Sequence, residues 1–465
     1  MMNSNYELFK AFIKGKKVGV LGLGVSNIPA IEFLHSLGAV IYGCDFKSEK
    51  DFSAPILETL NKTCAGLYLG SQYLSHLEEF DVILKSPGIK VLQDEIQNAI
   101  KKGVKVTSEM EIFMSICPCK VIGVTGSDGK TTTTTLIYEM LKNEGYRVHV
   151  GGNIGTPLLA KIDDIYKDDI VVLELSSFQL QTMRFSPQIS VITNISPNHL
   201  DYHKDMQEYI EAKANVFKYH KENSKLILNY DNEITRSLKD DYKYDVLMFS
   251  RKQKTDGVYL KNEVIYYKDE EILDTLNIKI KGVHNIENYM AAIGALIGLV
   301  SKETINNVAR NFGGVEHRME FVRKLSDVSF YNDSIGSSPT RTIAGLDSFT
   351  QGRIVLIAGG YDKNLAYDKL AQKIHQRVSA LVLIGETKDK IKNEVEKLST
   401  SQKSTPIVLA SSMKEAVDLS FALAKGLTGE NHEVNVILSP ACASFDMYKN
   451  FEFRGWDFKK IVNSL

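Results

Sequence analysis

The sequence has little of what marks proteins outside the ordinary globular classes. It contains five cysteines and one tryptophan among 465 residues, and its formal net charge is −1. The cysteines are odd in number and scattered, so they do not form the pattern of a disulfide-stapled secreted domain. Only Cys117 and Cys119 stand close together, without a second pair or the histidine spacing that indicates zinc. The near-neutral charge gives no electrostatic argument for a nucleic-acid or membrane partner.

Long hydrophobic runs are also missing. No stretch approaches the roughly 18 apolar residues of a membrane span, and the apolar run at 291–300 has only the length of a buried helix. Residues 1–17 contain no apolar segment typical of a secretion signal. We therefore expect a cytoplasmic protein with reduced thiols. The length predicts about three domains of roughly 150 residues each.

What the sequence does contain is a phosphate-binding pattern. The apolar run 121–125 predicts a buried strand, the glycine-bearing segment 126–129 a turn, and Lys130 the start of a helix. In such an arrangement backbone N–H groups surround phosphate oxygens, Lys130 reaches the terminal phosphates, and the Thr131 hydroxyl ligates Mg²⁺. Val124 stands where the strict phosphate-loop pattern requires glycine. We predict a nucleoside triphosphate site.

The first part of the chain alternates strand and helix patterns. An apolar strand at 17–21 runs into Gly22 and Gly24, a helix follows at 28–37, and a second strand ends at Asp45. An acid about 20 residues after a glycine turn is typical of dinucleotide-binding folds, where it meets a ribose hydroxyl. The third glycine of that fingerprint is missing. The pattern therefore indicates either a nucleotide or diphosphate site or a tight turn with only a packing role.

The same alternation continues through two further regions. We predict an α/β protein with a Rossmann-like domain over 1–117, a central P-loop ATPase domain with a mainly parallel sheet over 118–314, and a C-terminal Rossmann-like α/β domain over 315–465. Near the end of the central domain, alternating residues predict an antiparallel hairpin or two, with strands at 258–260, 264–267 and 276–280.

Polar residues follow the predicted strands of the central domain. Glu174 lies at the end of an apolar strand, where such a carboxylate meets Mg²⁺ in P-loop enzymes, although an acid there can also simply face solvent. Ser176 and Gln179 come next, at the sheet edge where open α/β folds bind ligands. His199 follows the next strand, and it is either a metal ligand or a surface residue.

Lys213 lies on the apolar stripe of a helix predicted at 208–217. A lysine facing the core is costly unless it is paired or modified, and burial lowers its pKa. The alternative is a side chain that runs along the apolar face to solvent. Asn285 and Asn288 flank a predicted helix start, where they cap the helix or meet a nucleobase. In the third domain, Asp, Lys and Ser residues follow the predicted strands. This pattern is typical either of a pocket for an anionic substrate or of capped helix starts.

Together these motifs resemble the Mur ligases, the ATP-dependent amide ligases of peptidoglycan precursor synthesis. The matching motifs run in order through all three predicted domains, at 123–132, 151–155, 174–179, 198–201, 213, 284–288 and 317–318. The closing stretch 438–455 is similar to the members that add D-glutamate. The resemblance implies ligation of D-glutamate to UDP-N-acetylmuramoyl-L-alanine through an acyl phosphate, without a nucleic-acid partner or a membrane span, by a monomer.

The resemblance also implies roles for individual residues. ATP would be bound by Gly126, Ser127, Asp128, Gly129, Lys130, Thr131, Thr132, Asn285, Asn288, Arg318 and Asp333. Two Mg²⁺ ions would be held by Thr131, Glu174, His199 and Lys213, with Lys213 carbamylated, and Lys130, Lys213 and His199 would be the catalytic residues. The nucleotide substrate would meet Val25, Ser26, Asp45, Asn153, Ser176 and Gln179, and D-glutamate would meet Lys363, Ser444 and Phe451.

Where the family often carries a lysine after its Asn-Asp-Ser motif, this chain has Ile335, so we do not carry that lysine's role over; Arg341 is a candidate for it. Gly313 and Gly314 predict a hinge about which the third domain closes. Two alternatives stay open. A folylpolyglutamate synthase shares the phosphate loop but lacks the Rossmann-like first domain, and a P-loop switch binds nucleotide without ligating anything.

Overall fold

The computed structural model describes residues 4–24, 27–200, 202–240, 242–280, 282–349, 351–363, 365–398, 404–429 and 433–465. The predicted substrate residues Val25 and Ser26 lie outside this set. The chain divides into two compact units. The larger unit comprises Met1–Ile278 with Val283–Arg310, and the smaller unit comprises Lys279–Gly282 with Asn311–Leu465. The larger unit contains most of the first two predicted domains, whose exact boundaries stay predictions.

The larger unit begins with a five-stranded sheet. Its strands are β1 (Lys17–Leu21), β2 (Val40–Asp45), β3 (Cys64–Leu69), β4 (Val82–Lys85) and β5 (Lys105–Thr107). The strand order is β3-β2-β1-β4-β5, and every neighbouring pair is parallel. The helices are α1 (Ser4–Ile13), α2 (Asn27–Ser36), α3 (Ala54–Thr63), α4 (Asp94–Lys101) and α5 (Glu109–Ile116). This order confirms the Rossmann-like prediction, because the strand order reverses its direction between the neighbours β1 and β4, which is the topological switch point of such a sheet.

The second sheet of the larger unit has nine strands. They are β6 (Lys120–Thr125), β7 (Val148–Gly152), β8 (Ile170–Glu174), β9 (Ile189–Ile192), β10 (Lys225–Asn229), β11 (Val246–Ser250), β12 (Val258–Lys261), β13 (Val264–Tyr267) and β14 (Glu270–Asp274). Its helices are α6 (Lys130–Glu144), α7 (Ser177–Leu180), α8 (Met206–Lys218), α9 (Glu233–Ser237), α10 (Val283–Leu296) and α11 (Lys302–Asn311). The order is β14-β13-β12-β11-β10-β9-β6-β8-β7, parallel except for the antiparallel β12-β13-β14 edge.

One strand prediction in this sheet is wrong. The third antiparallel strand is Glu270–Asp274, whereas we predicted a strand at 276–280. The reason is local, because the Asp274 carboxylate accepts a hydrogen bond from Leu276 N (2.9 Å) and turns the chain into a short 3₁₀ segment, Thr275–Asn277. Leu276, which the alternating pattern placed in a strand, is 76% exposed.

The smaller unit contains a six-stranded sheet. Its strands are β15 (Glu320–Leu325), β16 (Val328–Asn332), β17 (Arg353–Ala358), β18 (Ala380–Leu383), β19 (Ile407–Leu409) and β20 (Val434–Leu438). The order is β15-β16-β20-β17-β18-β19, parallel except for the β15-β16 hairpin. The helices are α12 (Pro339–Asp347), α13 (Asp368–Arg377), α14 (Lys388–Glu396), α15 (Met413–Leu427) and α16 (Phe451–Ser464).

The cores follow from the strand periodicity. In the smaller unit, Val355 and Ile357 of β17 enter one apolar cluster while Ile354 and Leu356 enter another, because successive side chains of a strand point to opposite faces. In the larger unit, one continuous apolar cluster joins the first sheet to the second. None of the helices in the described ranges combines the length and the apolarity that crossing a bilayer requires.

Candidate active site

The segment after β6 forms the predicted glycine turn. Gly126 (φ 147°) and Gly129 (φ 76°) both take backbone conformations that favour glycine. A β-carbon at Gly126 would collide with the Thr193 hydroxyl, and one at Gly129 would collide with the Asn288 carboxamide. Both glycines are therefore required by the close approach of neighbouring residues, and α6 starts directly after them at Lys130.

Residues that follow β9 hold this turn from the side. Asn194 Oδ1 accepts a hydrogen bond from Asp128 N (3.0 Å), and the Thr193 hydroxyl donates to Asp128 O (2.6 Å). The Ser127 hydroxyl donates to Ser196 O (2.9 Å) and lies 3.0 Å from the Tyr209 hydroxyl of α8. Sequence reasoning assigned no role to Thr193, Asn194 or Tyr209, because these contacts depend on tertiary structure.

Two lysines converge on the same carbonyl of the turn. Lys130 Nζ donates to Gly126 O (3.0 Å) and Ser127 O (2.8 Å), while Lys213 Nζ donates to Gly126 O (2.7 Å). Lys213 is 1% exposed, so the alternative in which it reaches solvent is wrong. Burial, reinforced by the charge of Lys130, holds the pKa of Lys213 well below its usual range. This places a readily deprotonated amine beside the phosphate loop.

Glu174 ends β8 and is 1% exposed, so it does not face solvent. Its Oε1 accepts a hydrogen bond from Asn153 Nδ2 (2.7 Å), and its backbone carbonyl accepts from Asn153 N (2.8 Å). Its Oε2 has no hydrogen-bond partner in the part of the chain that the structure describes. A buried carboxylate oxygen without a donor is costly, so this atom is an unfilled acceptor. Asn153, which we predicted as a substrate residue, orients this acid.

Ser176 and Gln179 form the N-terminus of α7. The Ser176 hydroxyl accepts from Gln179 N (3.2 Å), and Gln179 Oε1 accepts from Ser176 N (3.0 Å), which is a capping box. Their hydroxyl and carboxamide oxygens therefore cap the N-terminus of α7. The two residues directly follow β8 and so stay at the sheet edge where we expected substrate contacts.

His199 is an exposed residue with left-handed backbone (φ 55°), and its ring meets that of Phe178 edge-on at 4.9 Å. Its carbonyl accepts from the backbone N of His203 (3.0 Å). His203 is 2% exposed, lies 2.9 Å from the Ser177 hydroxyl and stacks on Phe178 at 5.7 Å. Burial lowers the pKa of His203. Sequence reasoning missed His203, although its spacing from His199 was a signal.

The donors at this edge fit a hard cation only in part. No group of three His, Cys, Asp or Glu side chains arranged to hold a metal occurs among the residues that the structure covers. Glu174 Oε2 and the buried Thr131 are oxygen donors of the kind Mg²⁺ prefers, and Mg²⁺ commonly takes its remaining ligands from water and substrate phosphates. The residues therefore fit one Mg²⁺ that arrives with a nucleotide better than a site built from protein ligands alone.

Asn285 and Asn288 lie inside α10, which begins at Val283, so the alternative that they cap this helix is wrong. Asn288 is 6% exposed, its Oδ1 accepts from the Thr133 hydroxyl (3.3 Å), and its Nδ2 donates to Asn285 Oδ1 (3.3 Å). The pair therefore ties α10 to α6 behind the phosphate loop. Thr132, the third residue of α6, is half-buried.

In the first sheet, Asp45 lies at the end of β2 and holds the glycine turn that follows β1. Its Oδ2 accepts from Leu23 N (2.6 Å) and its Oδ1 from Lys47 N (2.9 Å). Lys85, which sequence reasoning missed, ends β4 opposite Leu21 and is 1% exposed. Its Nζ donates to Ile89 O (2.7 Å), and burial lowers its pKa to about 8.

In the smaller unit, Asp333 follows β16 and is 5% exposed. Its Oδ2 accepts from the Ser439 hydroxyl (2.6 Å) and its Oδ1 from Met319 N (3.3 Å). Burial raises the pKa of Asp333 to about 6, although these hydrogen bonds and the charges of Arg318 and Arg341 oppose the shift. Arg318 itself is exposed. Arg341, our candidate for the missing family lysine, donates to Ile335 O (3.3 Å).

The structure brings together the loops that carry the predicted D-glutamate residues. The loop after β17, which contains the exposed Lys363, joins the loop after β20, which contains the buried Ser444, through a hydrogen bond from Tyr361 N to Ala443 O (2.9 Å). Phe451 begins α16, and its carbonyl accepts from the Ser334 hydroxyl (2.7 Å).

Arg454 of α16 is the residue that holds these loops, and sequence reasoning gave it no role. It is 3% exposed and donates to Ala443 O (3.0 Å), Cys442 O (3.1 Å) and Ser334 O (2.9 Å). Burial lowers its pKa to about 10. The signal was weak, because a single arginine in an amphipathic helix is usually a surface residue.

Comparison with protein families finds three models that match along the chain. The Mur ligase MurD-like N-terminal domain matches residues 16–108, the Mur ligase middle domain matches 124–296, and the Mur ligase glutamate ligase domain matches 317–435.

Relatives with curated names match over full length. A UDP-N-acetylmuramoylalanine–D-glutamate ligase of Clostridium botulinum (strain 657 / Type Ba4) is 50% identical over 466 aligned positions, covering 100% of both chains. The enzyme of the same name from Clostridium tetani (strain Massachusetts / E88) is 46% identical with the same coverage.

Solved structures agree on the fold. The UDP-N-acetylmuramate-alanine ligase MurC of Thermotoga maritima superposes with a TM-score of 0.55 at 17% identity, covering 97% of this chain and 99% of its own. MurF of Acinetobacter baumannii gives 0.56 at 14% identity, covering 91% of each chain. At these identities the similarity concerns the fold alone.

Proposed function

The chain belongs to the Mur ligase family, and we propose that it is the member that joins D-glutamate to UDP-N-acetylmuramoyl-L-alanine, with ATP converted to ADP and phosphate. It is an ATP-dependent ligase of peptidoglycan precursor synthesis. The observation that carries the choice of substrates is the 50% identity, over the whole of both chains, to a ligase named for that reaction. The proposal includes action as a monomer in the cytoplasm.

The reaction needs an activated carboxyl group. A carboxylate does not react with an amine at neutral pH, because its oxygen is a poor leaving group. Transfer of the γ-phosphoryl group of ATP to the carboxylate of the alanyl residue gives an acyl phosphate and ADP. The amine of D-glutamate then attacks the acyl carbon and loses a proton, the C–N bond forms, and the C–O bond to the phosphate breaks so that phosphate leaves. Holding the substrates together in a site that excludes water favours attack by the amine over hydrolysis of the acyl phosphate.

The phosphate loop supplies the ATP site. We propose that residues 126–132 surround the phosphates and that Lys130 moves from its carbonyl acceptors to the terminal phosphates. Its present partners, Gly126 O and Ser127 O, support this, because both belong to the loop that a phosphate would contact. Asn285 and Asn288 are proposed to contact ATP from α10. Arg318 and Asp333 of the smaller unit are proposed for ATP on the family resemblance.

Thr131 and Glu174 are proposed to hold Mg²⁺. The unfilled Glu174 Oε2 supports this assignment, since a divalent cation would satisfy a buried acceptor that no described residue fills. When bound, the ion supplies positive charge that stabilises the charge developing on the phosphate oxygens. Asn153 keeps the carboxylate of Glu174 in one orientation through Oε1.

His199 and Lys213 are proposed to hold a second cation, with Lys213 as a carbamate. The free amine of Lys213 would add CO₂ and lose a proton, which converts a buried neutral amine into an anion. The lowered pKa of Lys213 supports this, because only the neutral amine reacts. We predict that Lys213→Ala loses turnover and that added short-chain carboxylates restore part of it. Lys130→Ala, which keeps Lys213, serves as the control that carboxylates do not rescue.

The substrates are proposed to bind at strand ends of all three sheets. The UDP group would lie at the turn that follows β1, near Asp45 and residues 25–26, and its muramoyl-alanine end near Asn153, Ser176 and Gln179. D-glutamate would meet Lys363, Ser444 and Phe451. The joined loops after β17 and β20 support this last assignment, because they hold the segment with Lys363 next to the segment with Ser444.

One assay tests the function and separates it from the alternatives. Phosphate release is measured with ATP, UDP-N-acetylmuramoyl-L-alanine and D-glutamate, then with each acceptor left out, and then with L-glutamate. We expect release only with both substrates and the D-isomer, and none with Lys130→Ala. Release with a pterin substrate and L-glutamate would favour a folylpolyglutamate synthase. Phosphate release that needs neither UDP-N-acetylmuramoyl-L-alanine nor D-glutamate would favour a nucleotide switch.

A further inference from the structure

Cys117 and Cys119 form a pair of thiols at the junction between the two sheets of the larger unit. Their Sγ atoms lie 3.7 Å apart, in direct contact with each other. Cys117 follows the last residue of α5, and Lys120, next to Cys119, begins β6. The strand β6 ends at Thr125, immediately before the phosphate loop. No step of the proposed reaction uses this pair.

The local backbone keeps the two thiols on the same side. Pro118 fixes its own φ and favours extended backbone at the preceding residue, and Cys117 has φ −61° and ψ 125°. The Cys117 backbone N–H donates to Phe113 O (2.9 Å), which anchors it to the helix end. The sulfurs would have to approach by a further ~1.7 Å to reach the S–S length of about 2.05 Å. Closing the pair therefore needs rotation of both side chains and a shift of the backbone that joins them.

The two thiols are not equivalent. Cys119 is 6% exposed, whereas Cys117 is half-buried. The hydrogen bond with the Cys119 thiol lowers the pKa of Cys117, so the first thiolate forms on Cys117. The Asp169 carboxylate, held by His149 Nε2 (2.8 Å), Tyr166 N (3.0 Å) and Arg147 Nε (3.7 Å), is the charged group that faces the pair. Its negative charge opposes this ionisation.

We propose that Cys117 and Cys119 are a redox-sensitive site that closes to a disulfide by exchange with a low-molecular-weight disulfide such as oxidised glutathione, and that closure slows the ligase. The Cys117 thiolate attacks one sulfur of the small disulfide and releases one thiolate. The Cys119 thiol then loses its proton to solvent, attacks the Cys117 sulfur and releases the second thiolate. Two protein thiols become one S–S bond, and one small disulfide becomes two thiols.

Closure would reach the active site through β6. The new bond draws the start of β6 toward the end of α5, and β6 carries Gly126 and Lys130 at its far end. A ring closed across a single intervening residue is strained, and strained disulfides are easily reduced, as a reversible site requires. The slowing of turnover rests on the proposed ligase function, whereas the bond itself does not.

The experiment uses the full chain, with a chelator present, treated with oxidised glutathione and then with an alkylating reagent. Peptide mass spectrometry should find the segment around 117–119 two hydrogens lighter and unalkylated in the wild type. Cys117→Ser should leave Cys119 largely unmodified. Cys119→Ser should retain a glutathione adduct on Cys117. Cys64→Ser, which removes a half-buried thiol outside the pair, should behave as the wild type does.

Turnover is measured on the same samples, after the chelator is removed and Mg²⁺ is added, before oxidation, after it and after reduction with dithiothreitol. We expect at least a threefold loss in the oxidised wild type, full recovery on reduction, and no loss in Cys117→Ser. A stable glutathione adduct on wild-type Cys117, or no reaction at all, would overturn the site. A disulfide that leaves turnover unchanged would overturn the switch, and absent turnover in the reduced wild type would instead refute the ligase function.

Discussion

Glu174 in the larger unit and Asp333 in the smaller unit occupy equivalent places, since each is a buried carboxylate at the C-terminal end of a parallel strand. Their hydrogen bonding differs. Asp333 accepts a hydrogen bond on each oxygen, from the Ser439 hydroxyl and from Met319 N. Glu174 accepts one on Oε1 from Asn153, and its Oε2 has no partner within the described ranges. Two buried carboxylates at comparable places in α/β sheets thus differ in their hydrogen bonding. Both oxygens of Asp333 accept a hydrogen bond, whereas within the described residues only one oxygen of Glu174 does.

The difference indicates where a ligand is needed. A buried acceptor without a donor is costly, so a protein that keeps one gains from a cation or a donor that arrives with substrate. Lys130 and Lys213 both donate to Gly126 O, so two amines lie on the same side of the phosphate loop. Asp333, in contrast, completes its hydrogen bonding within the fold. The contrast favours Glu174 as a ligand-binding acid and Asp333 as an acid that also shapes its own loop.

The largest expected effect comes from Glu174→Gln. The amide keeps an acceptor for Asn153 and removes only the negative charge, so the free energy of unfolding should change by less than about 1 kcal/mol. ATP-dependent phosphate release should fall about 1,000-fold, since the variant loses a proposed ligand of the Mg²⁺ ion whose charge would stabilise the transition state. Both quantities are measured on the same preparation, by coupled assay and by urea unfolding. A fall in rate of less than tenfold would remove Glu174 from the metal site.

A smaller effect should appear in the pH dependence of stability at Asp333. Its pKa is about 6 in the folded chain and 3.8 as a model group, so the folded state binds this proton more tightly. Stability from this group is therefore full below pH 4 and is lost as the pH rises through 6, by at most about 3 kcal/mol. Asp333→Asn removes the titration. The difference in unfolding free energy between wild type and variant should shift by that amount between pH 4 and 7.

Ser334→Ala, which removes a neighbouring hydroxyl without removing a titrating group, is the matched control for this measurement. It should leave the pH dependence of the wild type in place. If the unfolding free energies of wild type and Asp333→Asn change in parallel from pH 4 to 7, burial does not raise the pKa of Asp333, and the contrast with Glu174 fails.

The smallest effect is expected for Asn153→Ala. This change removes the donor that orients Glu174 Oε1 and leaves the carboxylate itself in place. Residues that orient metal ligands typically contribute at least tenfold, so the apparent Mg²⁺ affinity in the ligation assay should fall about tenfold at constant ATP. Asn143→Ala, on the exposed end of α6, is the control. An unchanged dependence of ligation on the Mg²⁺ concentration would mean that Asn153 does not orient a metal ligand.

The parts of the fold that the sequence predicted well are those with strong local signals. The phosphate loop was predictable because Gly126 and Gly129 interrupt an apolar strand directly before a helix, and Lys213 because its spacing put it on an apolar stripe. The three α/β sheets were predictable from alternating apolar runs. The comparison with known families confirms the resemblance to the Mur ligases that these motifs carried together.

Other elements depend on contacts that no local pattern reveals. β15 (Glu320–Leu325) mixes charged and apolar residues without a regular alternation at a sheet edge, and β3 (Cys64–Leu69) is half-exposed, so neither has the pattern of a buried strand. The predicted strand at 276–280 failed because one side chain, Asp274, caps a turn. Asn194, Tyr209 and Arg454 act on loops distant in sequence, and such roles emerge only from the folded chain. The roles assigned to individual site residues stay predictions.

The most direct test of the account follows the oxygen of the activated carboxylate. UDP-N-acetylmuramoyl-L-alanine labelled with ¹⁸O in its alanyl carboxylate is turned over with ATP and D-glutamate, and the released phosphate is analysed by mass. An acyl phosphate passes one carboxylate oxygen to phosphate, so we predict one ¹⁸O in each phosphate released during ligation. Phosphate that instead takes its oxygen from water would show that ATP is hydrolysed without activating the carboxylate, and would contradict the proposed mechanism.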